Sequence, residues 1–447
     1  MGLALIVLAA GQGTRMKSGL PKVLHPVAGA PLLVHALKAG AALAPAWQVV
    51  VAGHGAEAVQ AAARAFDADV ECVHQSERNG TAHAVAQAAP LLSGHDGDVI
   101  VLYGDTPFIR PETLRRMIAA RAHHDLVVLG FEAAEPGRYG RLVMAGDTLE
   151  RIVEFKDSGH AERAITFCNS GVIAARAKTL FGLIDAVGND NAAGEYYLTD
   201  IVGLARAQGL SATAIACDEA ETMGVNTRAE LAEAEAVYQA RARRSAMESG
   251  VTLVAPETVH FAHDTALGPD TLVEPNVVFG PGVTVEGDTT IRAFSHLEGC
   301  RIMRGAVVGP FARLRAGTVL DEGARAGNFV EVKNATLGPG AKVNHLSYIG
   351  DADVGARSNI GAGTITCNYD GVRKHRTRIG EDAFIGSDTM LVAPVRVGAR
   401  AMTGSGSVIT RDVPDEALAI ARARQETRPG LARRLFEKMR SQKKASG

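Results

Sequence analysis

The chain has 447 residues, with 47 Lys plus Arg against 49 Asp plus Glu and a formal net charge of −2. That balance excludes a dedicated nucleic-acid binder or an acidic tail protein. Hydrophobic residues at 47% and charged residues at 21% exclude a wholly disordered chain. At about 150 residues per domain, the length predicts two to three domains. Five cysteines without CxxC spacing suit a reducing compartment rather than a disulfide framework or a zinc ribbon. No run reaches the roughly 18 apolar residues of a membrane helix. A turn-forming Gly-Gln-Gly follows residues 3–10 where a signal peptide would be cleaved, so a cytoplasmic protein is expected.

Up to about residue 225, strand-length apolar runs alternate with helical patterns. Residues 3–8 are wholly apolar, as expected for a strand buried on both faces. Residues 31–44 predict a helix, 48–51 the next strand, 98–103 a third and 125–131 a fourth. This alternation predicts an α/β domain over residues 1–226, Rossmann-like with a mainly parallel sheet. Ligands of such sheets sit at the carboxyl ends of the strands. Residues 227–248 contain no Gly or Pro and are rich in Ala, Glu and Arg. Thr227 and Glu230 have capping-box spacing. A long linker α-helix is expected over 227–250, an arm between two domains.

From residue 251 to about 412 the apolar period becomes six. Leu267, Val273, Phe279, Val285, Ile291 and Leu297 recur without a break, and the series resumes one residue out of register at Ile302. Leu337, Val343, Ile349, Ile360, Ile379, Ile385, Leu391 and Val397 continue it, often with Gly beside them. Neither a helix nor an alternating strand has that period. A left-handed parallel β-helix of hexapeptide repeats does, and 160 residues make roughly nine coils. Its flat faces lead us to expect side-by-side association as a homotrimer. The basic tail from Leu431 to Lys444 reads as the solvated end of a 251–447 domain.

Gly11-Gln12-Gly13-Thr14-Arg15 follows the first strand directly, with Pro21-Lys22 behind it. The segment lacks both the Gly-Lys-Ser/Thr end of a P-loop and the third Gly of a dinucleotide fingerprint. Its glycines free backbone N–H groups to approach phosphate oxygens, and Arg15 and Lys22 add positive charge. Nucleotidyl transfer needs such a set: one anionic phosphate attacks another, and a divalent cation with Arg or Lys cancels the repulsion. Read alone, Asp105 has a helix cap as its alternative, and Asn226 reads as the cap of the 227–248 helix.

The GxGTR…PK segment closely resembles the signature of the sugar-nucleotide pyrophosphorylases, which join a sugar 1-phosphate to a nucleoside triphosphate. The resemblance implies nucleotide contacts at Leu8, Ala9, Gly11 and Lys22, and nucleobase recognition around Gln75, Gly80 and Thr81. Further nucleotide-sugar contacts are implied at Tyr103, Gly104, Gly140, Glu154 and Asn169. Mg2+ is implied on Asp105 and Asn226, with Arg15 and Lys22 as catalytic cations.

In the second half, Asn344-His345-Leu346-Ser347-Tyr348 interrupts a bland coil, and the step from Thr366 to Ile379 is thirteen residues. Cys367-Asn368-Tyr369-Asp370-Gly371 and Arg373-Lys374-His375-Arg376 fill that gap. Asn, Asp and Gly form turns, so a projecting loop is expected, one able to close a pocket on a neighbouring subunit. This arrangement resembles the hexapeptide acyltransferases. With the first half, the chain is similar to bacterial bifunctional enzymes that join both activities.

That resemblance implies His345 as the general base, a task suited to a side chain whose ordinary pKa is about 6.5. Arg315, Lys333, Tyr348, Asn359 and Lys374 are implied on the sugar phosphate, and Asn368 and Tyr369 around the acetyl group. Ala362, Ser387, Ser405 and Arg422 are implied on coenzyme A, partly across a subunit boundary. Cys367 reads as a buried small hydrophobe, because direct transfer needs no thiol nucleophile. The implied activity is acetyl-CoA-dependent N-acetylation of glucosamine 1-phosphate, then Mg2+-dependent uridylyl transfer from UTP. It yields pyrophosphate and UDP-N-acetylglucosamine for the cell envelope. The alternative is a monofunctional nucleotidyltransferase whose β-helix only holds subunits together. Neither nucleic acid nor a membrane span is implied.

Overall fold

The computed structural model describes residues 2–445; Met1, Ser446 and Gly447, at the outer ends of the expected domains, lie outside the described residues. The chain divides into two compact units, the first ending at Arg241 and the second beginning at Ala242. No helix among the described residues is long and apolar enough to cross a membrane.

The first unit is built on a sheet ordered Ala212–Cys217, Leu126–Glu132, Phe167–Arg176, Asp98–Tyr103, Leu3–Ala9, Trp47–Ala52, Glu71–His74. Neighbours are parallel except at Phe167–Arg176, which runs antiparallel to both sides. One apolar strand divides two cores. Leu5 and Val7 pack with Leu33, Ala36 and Leu37 of the helix Leu32–Ala41, whereas Ala4, Ile6 and Leu8 join Val85 and Leu180 on the opposite face. Burial on both faces is why the run is continuously apolar rather than alternating. Leu8 stands opposite both Val51 and Tyr103. The carboxyl ends of Leu3–Ala9 and Asp98–Tyr103 therefore finish level, and the segments leaving them share one edge of the sheet.

The helix Arg228–Glu248 starts on the expected capping box. Thr227 Oγ1 accepts from the Glu230 amide (3.2 Å), and Glu230 Oε2 accepts from the amides of Thr227 (3.2 Å) and Asn226 (2.6 Å). The side chain of Asn226 is therefore not the cap. Within the first unit, Ala234 of this helix is buried with Val27, Leu32 and Phe108. Within the second, Ala242 and Ala246 pack on that unit's core.

The second unit is a parallel β-helix with faces of ten, eight and eight short strands. Its smaller faces complete eight turns, against the roughly nine expected from the repeat. Each strand sends at least one residue inward. On one face Val273, Ile291, Val308, Ala326, Val343 and Ile360 stack coil upon coil, all buried. The coil also continues beyond residue 412. Leu418–Ala419 pairs with Met402–Thr403, and its inward Ala419 is too small to extend a visible apolar period.

Every departure from the six-residue step between Leu267 and Ile409 falls at one corner of the prism. The steps Leu297 to Ile302, Val332 to Leu337 and Ile349 to Val354 are five residues, and Thr366 to Ile379 is thirteen. All four join the face containing Tyr348–Gly350 to the face containing Ala352–Val354. The other two corners keep a step of six.

Candidate functional site

In the first unit a cavity of about 230 Å3 opens beyond the ends of the two central strands. Leu8, Ala9, Gly11 and Lys22 line one side, and Gln75, Gly80, Thr81, Tyr103 and Asp105 the others. A second cavity of about 390 Å3 shares Thr81, Tyr103 and Glu195 with it and takes in Arg138, Glu154, Lys156 and Asn169.

Lys22 is the electrostatic centre. Its Nζ forms an ion pair with Asp105 Oδ2 and donates to Asn226 Oδ1 (2.9 Å), and Arg15 donates to the same Asn226 oxygen (2.9 Å). The Lys22 and Asp105 side chains are only 13% and 19% exposed, so water screens the pair weakly. Gly13 has φ 62°, and a Cβ there would lie 2.5 Å from Lys22 Cβ. The glycine turn thus packs directly on the lysine. The Gly104 amide donates to Leu8 O (2.9 Å), which holds Asp105 beside the first strand.

Asp105 Oδ2 and Asn226 Oδ1 converge on one ammonium group. Two hard oxygens of this kind suit Mg2+, which takes its remaining ligands from water and phosphate. Among the described residues no cluster of three or more His, Cys, Asp or Glu offers an all-protein cage.

The remaining walls are polar. Buried Gln75 donates to Gly80 O (3.2 Å) and faces His83 Nδ1 (3.1 Å). Thr81 Oγ1 accepts from the Leu198 amide (2.9 Å). Glu154 Oε1 accepts from Thr199 Oγ1 (3.2 Å). Burial pushes the Glu154 carboxyl above its ordinary value, with the Asp157 and Asp200 charges adding and the Thr199 bond opposing. Asn169 Oδ1 accepts from the Gly171 amide (2.9 Å), and the Asn169 amide donates to Gly140 O (2.9 Å). Arg141, by contrast, is a buried brace. It is 2% exposed and donates to Tyr139 O and Gly137 O (3.1 Å). Arg78, Glu195, Tyr197 and Thr199 also line the cavities and were not anticipated. They lie outside regular periodic elements, and the acidic-aromatic run Glu195-Tyr196-Tyr197 was the one available signal.

In the second unit the anticipated residues gather at two corners. At the first, His345 ends the strand Lys342–His345 and is exposed, with Nδ1 2.7 Å from Asn328 Oδ1 one coil away. Asn359 stands apart from both corners: it begins the next strand of that face, opposite Lys342 and so at the end of the face away from His345. Further along the His345 corner, Ala362 O accepts from the Asp388 amide (2.7 Å), Ser387 O from the Gly406 amide (2.8 Å) and Ser405 O from Arg422 (2.8 Å). The four residues anticipated for coenzyme A thus form one ladder.

At the second corner Arg315 pairs with Glu331 (2.9 Å). The Lys374 ammonium pushes the Lys333 amine below its ordinary value. Asn368 Nδ2 reaches Tyr348 OH (3.5 Å). A Cβ on Gly350 would lie 2.4 Å from that hydroxyl, so only glycine lets the tyrosine lie along the face. Residues 368–376 project as expected, closed by a Tyr369–Lys374 bridge. Tyr369 is 60% exposed. Cys367 is half-buried, not buried as expected, because its strand ends where the loop departs. Burial still raises its thiol pKa, which disfavours the nucleophilic thiolate.

The sequence matches the MobA-like NTP transferase domain over residues 5–171 and the bacterial transferase hexapeptide (six repeats) over residues 376–411. It is 70% identical over 444 residues to Bifunctional protein GlmU of Cereibacter sphaeroides, covering 99% of this chain and 98% of that one. Its identity to the protein of the same name from a Ruegeria species is 64% over 445 residues, with 100% and 99% covered. The Paracoccus denitrificans protein of that name is 62% identical over 441 residues, with 99% and 98% covered.

Proposed function

The chain belongs to the bifunctional GlmU family, and from that premise we propose how its two units divide the synthesis of UDP-N-acetylglucosamine. The second unit acetylates glucosamine 1-phosphate. The first unit then transfers a uridylyl group to the product. The observation that carries this reading is the meeting of Arg15, Lys22, Asp105 and Asn226, drawn from three separate segments, with Lys22 and Asp105 lining a cavity.

In acetyl transfer the amine of glucosamine 1-phosphate attacks the thioester carbonyl of acetyl-CoA. A C–N bond forms, the C–S bond breaks, and coenzyme A leaves as the thiol. His345 takes the amine proton, its ring oriented by Asn328. Arg315, Lys333 and Lys374 bind the sugar phosphate with Tyr348, and Asn359, from another part of the coil, completes the set. Asn368 and Tyr369 flank the acetyl group, and the ladder from Ala362 through Ser387 and Ser405 to Arg422 holds coenzyme A.

In uridylyl transfer a phosphate oxygen of N-acetylglucosamine 1-phosphate attacks the α-phosphorus of UTP, and pyrophosphate leaves. Lys22 and Arg15 offset the charge of the phosphates. Leu8, Ala9, Gly11, Gln75, Gly80 and Thr81 hold the nucleotide, and Gly140, Glu154 and Asn169 the sugar, with Tyr103 between and Gly104 fixing the turn. Asp105 and Asn226 would hold Mg2+, which supplies charge neutralisation to the phosphates.

We assign the protein to a cytoplasmic homotrimer. Free cysteines suit a reducing compartment. Phe294, Phe311 and Phe329 stack at 4.9 and 5.2 Å between centroids along the His345 corner, 53%, 45% and 55% exposed. A half-exposed aromatic ladder of this kind is the chemistry of a subunit interface.

The test is a coupled assay with glucosamine 1-phosphate, acetyl-CoA, UTP and Mg2+, following thiol and pyrophosphate separately. Release of both, with pyrophosphate dependent on Mg2+, supports the two-site reading. Pyrophosphate released only when N-acetylglucosamine 1-phosphate is supplied, with no thiol, makes the β-helix a scaffold.

A further inference from the structure

The carboxylate of Asp351 has no part in the chemistry above, yet it links the coil before it to the coil after it at the phosphate-binding corner. Asp351 is 8% exposed and sits at φ 48°, at the turn following the strand Tyr348–Gly350. Its Oδ1 accepts from Asn334 Nδ2 (2.6 Å), one coil before it, and its Oδ2 from Asn368 Nδ2, one coil after it. Its main chain joins the same set. The Asp351 amide donates to Lys333 O (3.0 Å), and Asp351 O accepts from the Thr377 amide (3.0 Å). Asn368 and Thr377 are the two feet of the projecting loop. One residue therefore ties down both feet, the first by its side chain and the second by its carbonyl.

Asp351 also answers a charge problem. The Lys333 and Lys374 charges repel each other, and Arg315 adds a third positive charge that acts on Lys333. Glu331 is already paired with Arg315. Burial alone would raise the Asp351 pKa, but the Asn334 and Asn368 donors and the Lys333 and Lys374 charges outweigh it and hold the carboxyl below its ordinary value. The carboxylate is thus kept ionised by two amide donors and by the field of the two lysines.

We infer that Asp351 is a positioning residue for acetyl transfer: by tying down both feet of the loop that carries Asn368 and Lys374, it sets where Lys374 stands relative to Lys333 at the sugar phosphate. The inference rests on Lys333 and Lys374 being the phosphate-binding pair proposed above.

Asp351→Asn keeps the shape but removes the charge and one acceptor, turning an amide NH2 towards the NH2 of Asn334 or Asn368. We expect the KM for glucosamine 1-phosphate to rise about tenfold, and the inhibition constant for inorganic phosphate to rise by a similar factor. The uridylyl transfer rate should hold, and the KM for acetyl-CoA, held mostly by the ladder at the other corner, and the melting midpoint should shift far less than the sugar-phosphate KM. Asn334→Ala, which removes only one donor to the carboxylate, should raise the same KM about threefold and guards against a misfolded first variant. Unchanged phosphate inhibition and sugar-phosphate KM in both variants would overturn the inference. So would an acetyl-CoA KM and melting midpoint that move in step with them, because that pattern marks a general structural role. Lys374→Ala separates the two levels. If it leaves the sugar-phosphate KM unchanged, the phosphate-site assignment fails; if it raises that KM while Asp351→Asn does not, only the role of Asp351 fails.

Discussion

Replacing Asp105 by Ala bears most directly on the first unit. Lys22, its side chain 13% exposed, would keep only the Asn226 oxygen at 2.9 Å. Stripping a nearly buried ammonium of its carboxylate costs about 1–3 kcal/mol, below the cost for a fully buried pair because both groups here retain some water. A unit of this size should then melt roughly 2–4 °C lower for each kcal/mol lost. The chemical effect is larger. Asp105 supplies the only formal charge among the two oxygens offered to a cation, so pyrophosphate release should fall roughly 10²–10⁴-fold. Acetyl transfer should continue at its normal rate, since its residues belong to the second unit. The assay supplies both substrate sets to purified variant and parent, reading thiol and pyrophosphate independently while circular dichroism follows melting. Pyrophosphate release within about threefold of the parent would refute the role of Asp105. A parallel loss of thiol release in a folded variant would refute the independence of the two sites.

His345→Ala should cut thiol release roughly 10²–10⁴-fold and leave pyrophosphate release from supplied N-acetylglucosamine 1-phosphate intact; undiminished acetyl transfer would reduce the β-helix to a scaffold. Glu154 starts from an ordinary value of 4.5 and is raised, chiefly by burial, so its ionised form is lost as pH falls through a value above 4.5. The acid limb of uridylyl transfer should therefore begin above the ordinary glutamate range and disappear in Glu154→Gln, with acetyl transfer following a different profile. The linkage sign is opposite for stability. The fold favours protonated Glu154, so this group's contribution is greatest at low pH and diminishes as pH rises through its raised pKa, which paired melting curves of the parent and Glu154→Gln would reveal. Ile349→Ala, at a fully buried inward position beside Tyr348, should cost about 2–5 kcal/mol and make acetyl transfer heat-labile before uridylyl transfer. Simultaneous thermal loss of both activities would contradict separate units.

The architecture was legible where one physical rule operated along consecutive residues. A strand buried on both faces must be apolar throughout, and residues 3–8 declare it. A coil with one inward residue per strand repeats at six; the altered steps at one corner shift that period, and small inward residues such as Ala326 and Ala419 blur it. The antiparallel strand Phe167–Arg176 was not legible, because direction in a sheet is settled by pairing with distant partners. The site shows the same divide. Asn226 looks locally like a helix cap, but Thr227 and Glu230 complete the cap and leave its side chain free to meet Lys22, 204 residues away. No spacing rule reaches that far. In the β-helix, however, distance along the chain is regular. One turn of the prism makes neighbours of residues about 17 apart, as with Asn334 and Asp351, Asp351 and Asn368, and Asn328 and His345, each separated by 17. The stride of six identifies what faces inward, whereas a stride of 17 identifies what meets at a corner. Chemistry-bearing side chains must be outside a packed core and next to one another, so in this unit the longer stride carries the function and the shorter one the fold. Asp351 is unremarkable at a stride of six and becomes the middle of an Asn-Asp-Asn column at 17.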